Sequence, residues 1–192
     1  MKIYFVASPR LVLKEPELYR RIHRYLAKSN VMLSDKLIKW TDQKSVEDVY
    51  KENPKQLISG YRRAIESVKK ADVVMMEVSG HSLSMGYLIS KSLDLNKPIV
   101  AFYKKGTKSF FLSGINDSKF KMVEYDEKNI DNKLEEALKE VKRDIDVRFN
   151  FFVSAKILSY LDWVAQERMT PRSVFLRDLI EKEMKKDKKF KV

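Results

Sequence analysis

Residues 71–78 read ADVVMMEV, and residues 79–91 continue as SGHSLSMGYLISK. The first stretch contains an unbroken apolar run at residues 73–76, which is typical of a strand that is buried on both faces of a parallel sheet. A loop of small residues follows, and helical spacing begins again at Leu88 and continues to Leu95. A buried strand, a small-residue loop and a helix in this order are typical of an α/β domain that binds a ligand at the loop.

The rest of the N-terminal part alternates strands and helices in the same way. Strands are predicted at residues 2–7, 31–33, 98–103 and 121–125, and helices at residues 15–29, 55–70 and 132–142. Alternation of helices with apolar strands predicts a parallel sheet that is covered on both faces. We therefore expect an α/β, flavodoxin-like, doubly wound domain of about five strands.

Ligands of doubly wound domains bind at the carboxyl ends of the strands. In this sequence those ends are residues 7–10, residues 79–86 and the loop after Tyr103. Residues that bind a ligand are expected in these three segments.

The composition limits the classes of function. The 192 residues include no cysteine and only two histidines, His23 and His81, so neither a disulfide framework nor a zinc centre is expected, and no cofactor is predicted. No window approaches the roughly 18 apolar residues of a membrane span. The first residues resemble a strand and not a signal peptide, so a cytoplasmic location is expected.

The positive charge is concentrated at the C-terminal end. The formal net charge is +12, and residues 148–192 contain eleven Lys or Arg against six Asp or Glu. A basic end suggests a polyanionic partner, most often nucleic acid. The alternative is a solvated, lysine-rich helix with a frayed tail.

The C-terminal part has a different periodicity. Residues 147–153 alternate as a strand, Ser154 is a candidate N-cap for a helix over 155–169, and Thr170-Pro171 is expected to start a second helix with Pro171 at its first position. One strand and two helices are too few to bury that strand. The strand therefore needs a partner strand from another chain. We place the two domains at residues 1–143 and 146–192.

Five separate segments between Lys2 and Lys139 carry a family resemblance. They are Ser8-Pro9-Arg10-Leu11, residues 71–78, residues 81–87 (HSLSMGY), residues 96–100 (NKPIV) and Leu112-Ser113. Together they resemble the nucleoside 2-deoxyribosyltransferase superfamily, most closely the 2′-deoxynucleoside 5′-phosphate N-hydrolases, which cut the N-glycosidic bond of deoxynucleoside monophosphates. The resemblance implies a nucleotide ligand whose candidate contacts are Ser8, Arg10, Glu77, Ser82, Gly86 and Ser113.

Two positions depart from the family pattern. The family's nucleophilic glutamate follows Gly-Tyr, where this chain has Leu88, and its second acidic residue falls on Ala64. Neither side chain can attack a sugar or transfer a proton. The sequence therefore predicts a nucleotide-binding domain with no catalytic residue. Two alternatives remain: the loop binds nothing and Ser82 only starts a turn, or another carboxylate, such as Glu77, sustains catalysis.

The region from Asp146 to Lys186 resembles a ribbon-helix-helix DNA-binding domain. In that family two chains pair their strands into a ribbon that enters the major groove. The resemblance implies base contacts from Arg148, Asn150 and Phe152, and phosphate contacts from Thr170, Arg172 and Ser173. Phe152 departs from the family, which more often has a polar or basic residue there. The alternative is a dimerisation module that does not bind DNA.

These observations predict a dimeric regulator, or a higher even oligomer, that senses a nucleotide or a related small molecule and binds duplex DNA. No membrane partner is expected. One alternative is an active nucleoside or nucleotide N-glycosidase, or a deoxyribosyltransferase, that is dimerised by its C-terminal domain. The other is an inert scaffold.

Overall fold

The computed structural model describes residues 1–51, 53–144 and 151–187. The chain divides into two compact units, Met1–Ile145 and Asp146–Val192. They are called the N-terminal unit and the C-terminal unit below, and each is described separately.

The N-terminal unit is built on a five-stranded sheet. Its strands are β1 (Lys2–Ala7), β2 (Val31–Met32), β3 (Val73–Glu77), β4 (Ile99–Lys104) and β5 (Phe120–Tyr125). The strand order is β2-β1-β3-β4-β5, and every neighbouring pair is parallel. This is the strand order of flavodoxin-like folds, and the α/β fold class predicted from the sequence is confirmed.

Helices cover both faces of this sheet. They are α1 (Pro9–Lys14), α2 (Pro16–Ala27), α3 (Lys36–Thr41), α4 (Val46–Tyr50), α5 (Pro54–Lys70), α6 (Leu83–Asp94) and α7 (Ile130–Asp144), with a short 3-10 helix at Leu112–Gly114. Helices α1, α2, α3 and α7 contribute to the core on one face, and α5 and α6 contribute to the core on the other.

The apolar run that predicted a buried strand forms β3, and all five of its residues are buried. Val73 and Met75 pack into the core on one face of the sheet, and Val74 and Met76 pack into the core on the other. Successive side chains of a strand point to opposite faces, so a strand that is covered on both sides has no polar positions to alternate with.

Three local predictions differ from the structure. The segment after β1 is not a loop, because Ser8 is the N-cap of α1 and Pro9 is its first residue. Helix α6 begins at Leu83, five residues before the predicted start, so the second half of the predicted loop is its first turn. A serine occupies the N-cap position of both helices, and Pro9 is the first residue of α1, at positions where apolar periodicity gives no signal. In α5, the helical spacing of Ile58, Tyr61, Ile65 and Val68 predicts one buried face, but Ile58 and Tyr61 remain exposed.

The described part of the C-terminal unit contains two helices, α8 (Ala155–Glu167) and α9 (Arg172–Met184). The Ser154 hydroxyl accepts a hydrogen bond from the Ile157 amide at 3.3 Å and caps α8, as predicted. Helix α9 begins one residue later than predicted, because Pro171 has extended backbone angles and is its N-cap. Most of the strand predicted at residues 147–153 lies outside the described residues, and residues 151–153 lie in no helix or strand.

The core of the C-terminal unit is small. Among its described residues only Leu161, Val164 and Phe175 are buried, with Leu176 partly buried against them. Many large apolar side chains of α8 and α9 are exposed, including Trp163 and Ile180. Within the described ranges no helix has the length and apolar character that crossing a membrane requires.

Candidate ligand-binding site

A cavity of about 720 Å³ lies at the carboxyl ends of β1, β3 and β4. Its lining comes from four segments: Ser8 and Arg10 after β1, residues 78–82 after β3, the first turns of α6, and part of residues 107–112 after β4. Ligand cavities in proteins commonly measure about 300–1,000 Å³. The cavity is therefore large enough for a ligand of nucleotide size, and it lies where this fold places ligands.

The N-terminus of α6 forms one wall of the cavity. Ser82 is the N-cap in an extended conformation, and its side chain forms no capping hydrogen bond. The first bond of the helix runs from the Gly86 amide to the Ser82 carbonyl at 3.2 Å. The preceding amides of the first turn have no partner within the helix, and the helix dipole adds partial positive charge there. This wall therefore offers amide donors and one hydroxyl to an anion.

The segment after β1 adds a hydroxyl and a cation. Ser8 is buried, and its carbonyl accepts hydrogen bonds from the Leu11 and Val12 amides at 3.0 and 3.1 Å, while its side chain caps nothing. Arg10 is exposed and forms no ion pair with any residue that the structure describes. Arg10 belongs to the cavity lining, and a guanidinium group can form a bidentate contact with a phosphate.

Two glycines of this site have different roles. A Cβ atom on Gly80 would lie 3.0 Å from a methyl carbon of Leu11, so a side chain at this position would require Leu11 to shift. A Cβ atom on Gly86 would meet no atom within 4 Å. Gly86 therefore leaves space in the cavity wall and is not required for packing. Gly86 was predicted to contact the ligand, whereas no role was predicted for Gly80.

The structure places Glu77 outside the cavity lining. The side chain is 1% exposed, and its Oε2 atom accepts a hydrogen bond from the Tyr19 hydroxyl at 2.6 Å. Its Oε1 atom accepts from the Tyr125 hydroxyl at 3.1 Å, from the Ser79 amide at 3.2 Å, and from the Ser79 hydroxyl. Glu77 thus supports the loop from beneath and does not reach a ligand in this cavity.

The carboxylate of Glu77 affects the pKa of Tyr19 and of Tyr125. Burial is the largest cause that raises the pKa of Tyr19 and of Tyr125, and the negative charge of Glu77 raises both further. Both hydroxyls therefore keep their protons at neutral pH and remain donors to Glu77.

In the loop after β4, the residues that line the cavity do not include Ser113, which was predicted to contact the ligand. Ser113 does not line the cavity, and its hydroxyl donates to the Ser109 carbonyl at 2.8 Å. Thr107, Ser109 and Phe111 line the cavity instead. A turn at the start of the loop is closed by the Thr107 amide and hydroxyl, which both donate to the Lys104 carbonyl. Small polar residues in a predicted loop were the only sequence signal for Thr107 and Ser109, and no signal pointed to Phe111.

The two positions that depart from the family pattern do not line this cavity. Leu88 is 8% exposed and packs in the core beneath α6. Ala64 lies on α5 and lines a separate groove, whose other residues include Tyr4, Lys36 and Arg63. Among the described residues that line the main cavity there is no aspartate or glutamate.

Tyr87 lines the cavity and carries a phenol hydroxyl, which is a candidate nucleophile. Its hydroxyl lies 2.7 Å from the Tyr61 hydroxyl, and the hydrogen bond between them is the largest cause that raises the pKa of Tyr87. A phenol with a raised pKa is a weaker nucleophile at neutral pH. Tyr87 is therefore poorly suited to replace a catalytic glutamate.

The described positions predicted to contact DNA lie in the C-terminal unit. Phe152 is fully exposed, and Ser173 lies in the exposed first turn of α9. The Thr170 hydroxyl donates to the Arg168 carbonyl at 3.0 Å, and the Arg172 guanidinium pairs with Asp162. Arg148 and Asn150, which were predicted to contact bases, lie outside the described residues.

No described group of three or more histidine, cysteine, aspartate or glutamate side chains has the arrangement of a metal site. The donors gathered in the main cavity are amides, hydroxyls, the guanidinium group of Arg10 and the imidazole of His81. Such donors suit an anionic ligand better than a cation.

Comparisons with known proteins agree with the fold class. No family model matches the chain. A solved CMP N-glycosidase of Clostridium botulinum superposes with a TM-score of 0.50 and 13% identity, covering 70% of this chain and 98% of that structure, and this likeness shows the fold. A 5-hydroxymethyl-dUMP N-hydrolase of Esox lucius is 25% identical over 148 residues, covering 75% of this chain and all of the relative. These findings support a nucleoside 2-deoxyribosyltransferase-like superfamily, while the ribbon-helix-helix resemblance stays a prediction.

Proposed function

We propose that the N-terminal unit binds a nucleoside 5′-monophosphate in the cavity at the carboxyl ends of β1, β3 and β4. The observation that carries this proposal is the meeting of Ser8, Arg10 and Ser82 with the first turn of α6 in one cavity. A phosphate monoester carries up to two negative charges and needs several donors. Amides at a helix N-terminus, hydroxyl groups and a guanidinium group are the donors that proteins use for this purpose.

Calorimetric titration of the full chain with dUMP and with deoxyuridine tests this proposal. The monophosphate should bind more tightly than the nucleoside. Arg10→Ala should weaken dUMP binding by about 1–3 kcal/mol, a roughly 5- to 150-fold loss, and should leave deoxyuridine binding almost unchanged. Arg24→Ala is the matched control, because Arg24 is also an exposed arginine on a helix of this unit and does not line the cavity. Equal affinity for both compounds would refute the proposal.

We further propose that this unit does not cleave its ligand. The support is that Leu88 and Ala64 occupy the two positions where the resembling family has acidic residues, and that the described cavity lining contains no carboxylate. Release of free uracil from dUMP should then stay far below ordinary enzymatic turnover, which is on the order of 1 per second or more. Leu88→Glu should restore little activity, because Ala64 remains and because Leu88 is buried in the core.

The second candidate function is an active nucleotide N-glycosidase. It is favoured by the activities named for the two similar proteins, which are an N-hydrolase and an N-glycosidase of nucleoside monophosphates. This candidate needs a carboxylate from outside the described cavity lining, since Glu77 is buried and has donors on both oxygens. Chromatography of dUMP, CMP and 5-hydroxymethyl-dUMP after incubation with the purified chain separates the two functions. Enzymatic release of any free base would establish the second.

For the C-terminal unit we propose a paired, ribbon-helix-helix-like module that binds duplex DNA. Three observations support this: the surplus of basic residues, the small described core, and the exposed apolar side chains of α8 and α9. A unit with so few buried residues gains stability when a second copy covers its apolar surface. In the complete chain, nucleotide binding by one unit would then accompany DNA binding by the other, as in a ligand-sensing regulator.

A further inference from the structure

Phe111 is a large apolar side chain at the wall of the cavity. It is 85% exposed although it belongs to the lining. Its neighbour Phe110 is 96% exposed and does not belong to the lining. The two rings therefore have similar exposure and adjacent positions but differ in their relation to the cavity.

The backbone holds Phe111 in place without help from ring packing. Phe111 is the N-cap of the 3-10 helix at Leu112–Gly114, with φ −65° and ψ −45°. Its carbonyl accepts a hydrogen bond from the Gly114 amide at 3.1 Å, and the Ser113 amide donates to the Ser109 carbonyl at 3.2 Å. These hydrogen bonds fix the backbone from which the Phe111 ring projects, which reduces the backbone entropy lost when a ligand binds.

The cavity lining has two chemical characters. One part is polar and includes Ser8, Arg10 and Ser82, and the other is apolar and includes Leu83 and Leu112 as well as Phe111. A nucleoside monophosphate has the same two characters, an anionic phosphate and a planar base with an apolar face. Every base can stack on an aromatic ring, whatever its hydrogen-bonding edge.

We infer that Phe111 forms the base subsite of this cavity and stacks on the nucleobase of the bound nucleotide. The inference rests on the proposed nucleotide binding and adds the residue that recognises the base. The subsite would accept different bases, because stacking depends little on which groups the base carries.

Titration of the full chain with two probes tests this inference. The probes are dUMP and 2-deoxyribose 5-phosphate, which has the same phosphate and sugar but no base. The unaltered chain should bind dUMP more tightly, with a ratio of roughly 5- to 150-fold. Phe111→Ala should remove most of this ratio by weakening dUMP alone, and Phe111→Trp should keep it. Phe110→Ala is the matched control and should change neither affinity.

Three results would overturn the inference, and they differ in what they leave standing. If Phe111→Ala keeps the ratio while Arg10→Ala weakens both probes, the phosphate site stands and the base subsite is wrong. If Phe110→Ala and Phe111→Ala have equal effects and both reduce self-association in sedimentation, the two rings contact a second copy of the chain. If neither probe binds at millimolar concentration, the proposed nucleotide binding fails as well.

Discussion

Replacing Tyr19 by phenylalanine removes one hydroxyl and leaves the ring in place. That hydroxyl is the one donor that the described residues provide to Oε2 of Glu77, at 2.6 Å. Oε1 differs, because it accepts hydrogen bonds from the Ser79 amide and hydroxyl as well as from Tyr125. Tyr19→Phe therefore leaves the buried Oε2 atom of Glu77 without a described donor, whereas Tyr125→Phe leaves Oε1 with two donors from Ser79.

The magnitude follows from this difference. A hydrogen bond to a charged group contributes about 1.5–3 kcal/mol, so Tyr19→Phe should lower the free energy of unfolding of the N-terminal unit by that amount. Tyr125→Phe should cost less, about 0.5–1.5 kcal/mol, since its bond is longer and its acceptor keeps other donors. At roughly 2–4 °C per kcal/mol, Tyr19→Phe should lower Tm by about 3–12 °C.

Tryptophan fluorescence during urea or thermal unfolding measures this change. The chain has two tryptophans, Trp40 in the N-terminal unit and Trp163 in the C-terminal unit, so a Trp163→Phe background makes the signal specific to the N-terminal unit. Tyr25→Phe is the matched control, because Tyr25 lies on the same helix and its hydroxyl forms no hydrogen bond among the described contacts. If Tyr19→Phe costs no more than Tyr25→Phe, or less than Tyr125→Phe, the reasoning about Glu77 is wrong.

Three further predictions concern alkaline pH, loop packing and DNA. Burial raises the pKa of Tyr4 to about 12, above its unfolded value of about 10. The contribution of Tyr4 to stability is therefore complete below pH 10 and is lost between about pH 10 and 12. In urea titrations, the free energy of unfolding should fall less between pH 8 and pH 11 for Tyr4→Phe than for the unaltered chain. Gly80→Ala should lower the free energy of unfolding by about 1–3 kcal/mol, because the added methyl group would contact Leu11. A double-mutant cycle with Leu11→Ala should show that the two changes are coupled. If their effects on the free energy of unfolding are additive, that contact is not the cause. In gel-shift titrations, Asn150→Ala should cost about 1–3 kcal/mol on a preferred inverted-repeat site and little on random DNA, while Arg172→Ala should weaken binding to all sequences; a dimer that shifts no DNA at low salt would contradict both.

The sheet was predictable because its strands are apolar at consecutive positions. The consecutive apolar residues from Val73 to Met76 are all removed from water only in a strand that is covered on both faces. The same feature hid the role of Glu77, since alternation carries no information when both faces are buried. The sequence placed this residue at the end of a strand, and only the packing of Tyr19 and Tyr125 shows which way its carboxylate points.

The sequence predicted where the candidate site lies better than it predicted which residues line it. Ser8, Arg10, Ser82 and Gly86, which follow predicted strand ends, line one cavity. That they contact a ligand stays a prediction. The residues of the loop after β4 were not predictable, because hydrogen bonds within the loop decide which side chains face inward. Ser113 satisfies the Ser109 carbonyl, so the motif residue does not line the cavity.

The donors to Glu77 come from distant parts of the chain. Tyr19 lies 58 residues before it and Tyr125 lies 48 residues after it, on α2 and β5 respectively. A folding intermediate with β1 and β3 paired but β5 absent would hold this carboxylate without its Tyr125 donor as it leaves water, which is unfavourable by about 0.5–1.5 kcal/mol. Partly assembled sheets are thereby penalised relative to the complete one, and the N-terminal unit should fold in one cooperative step. Cutting the chain between β4 and β5 should then destabilise the remaining strands by more than the lost apolar contacts alone.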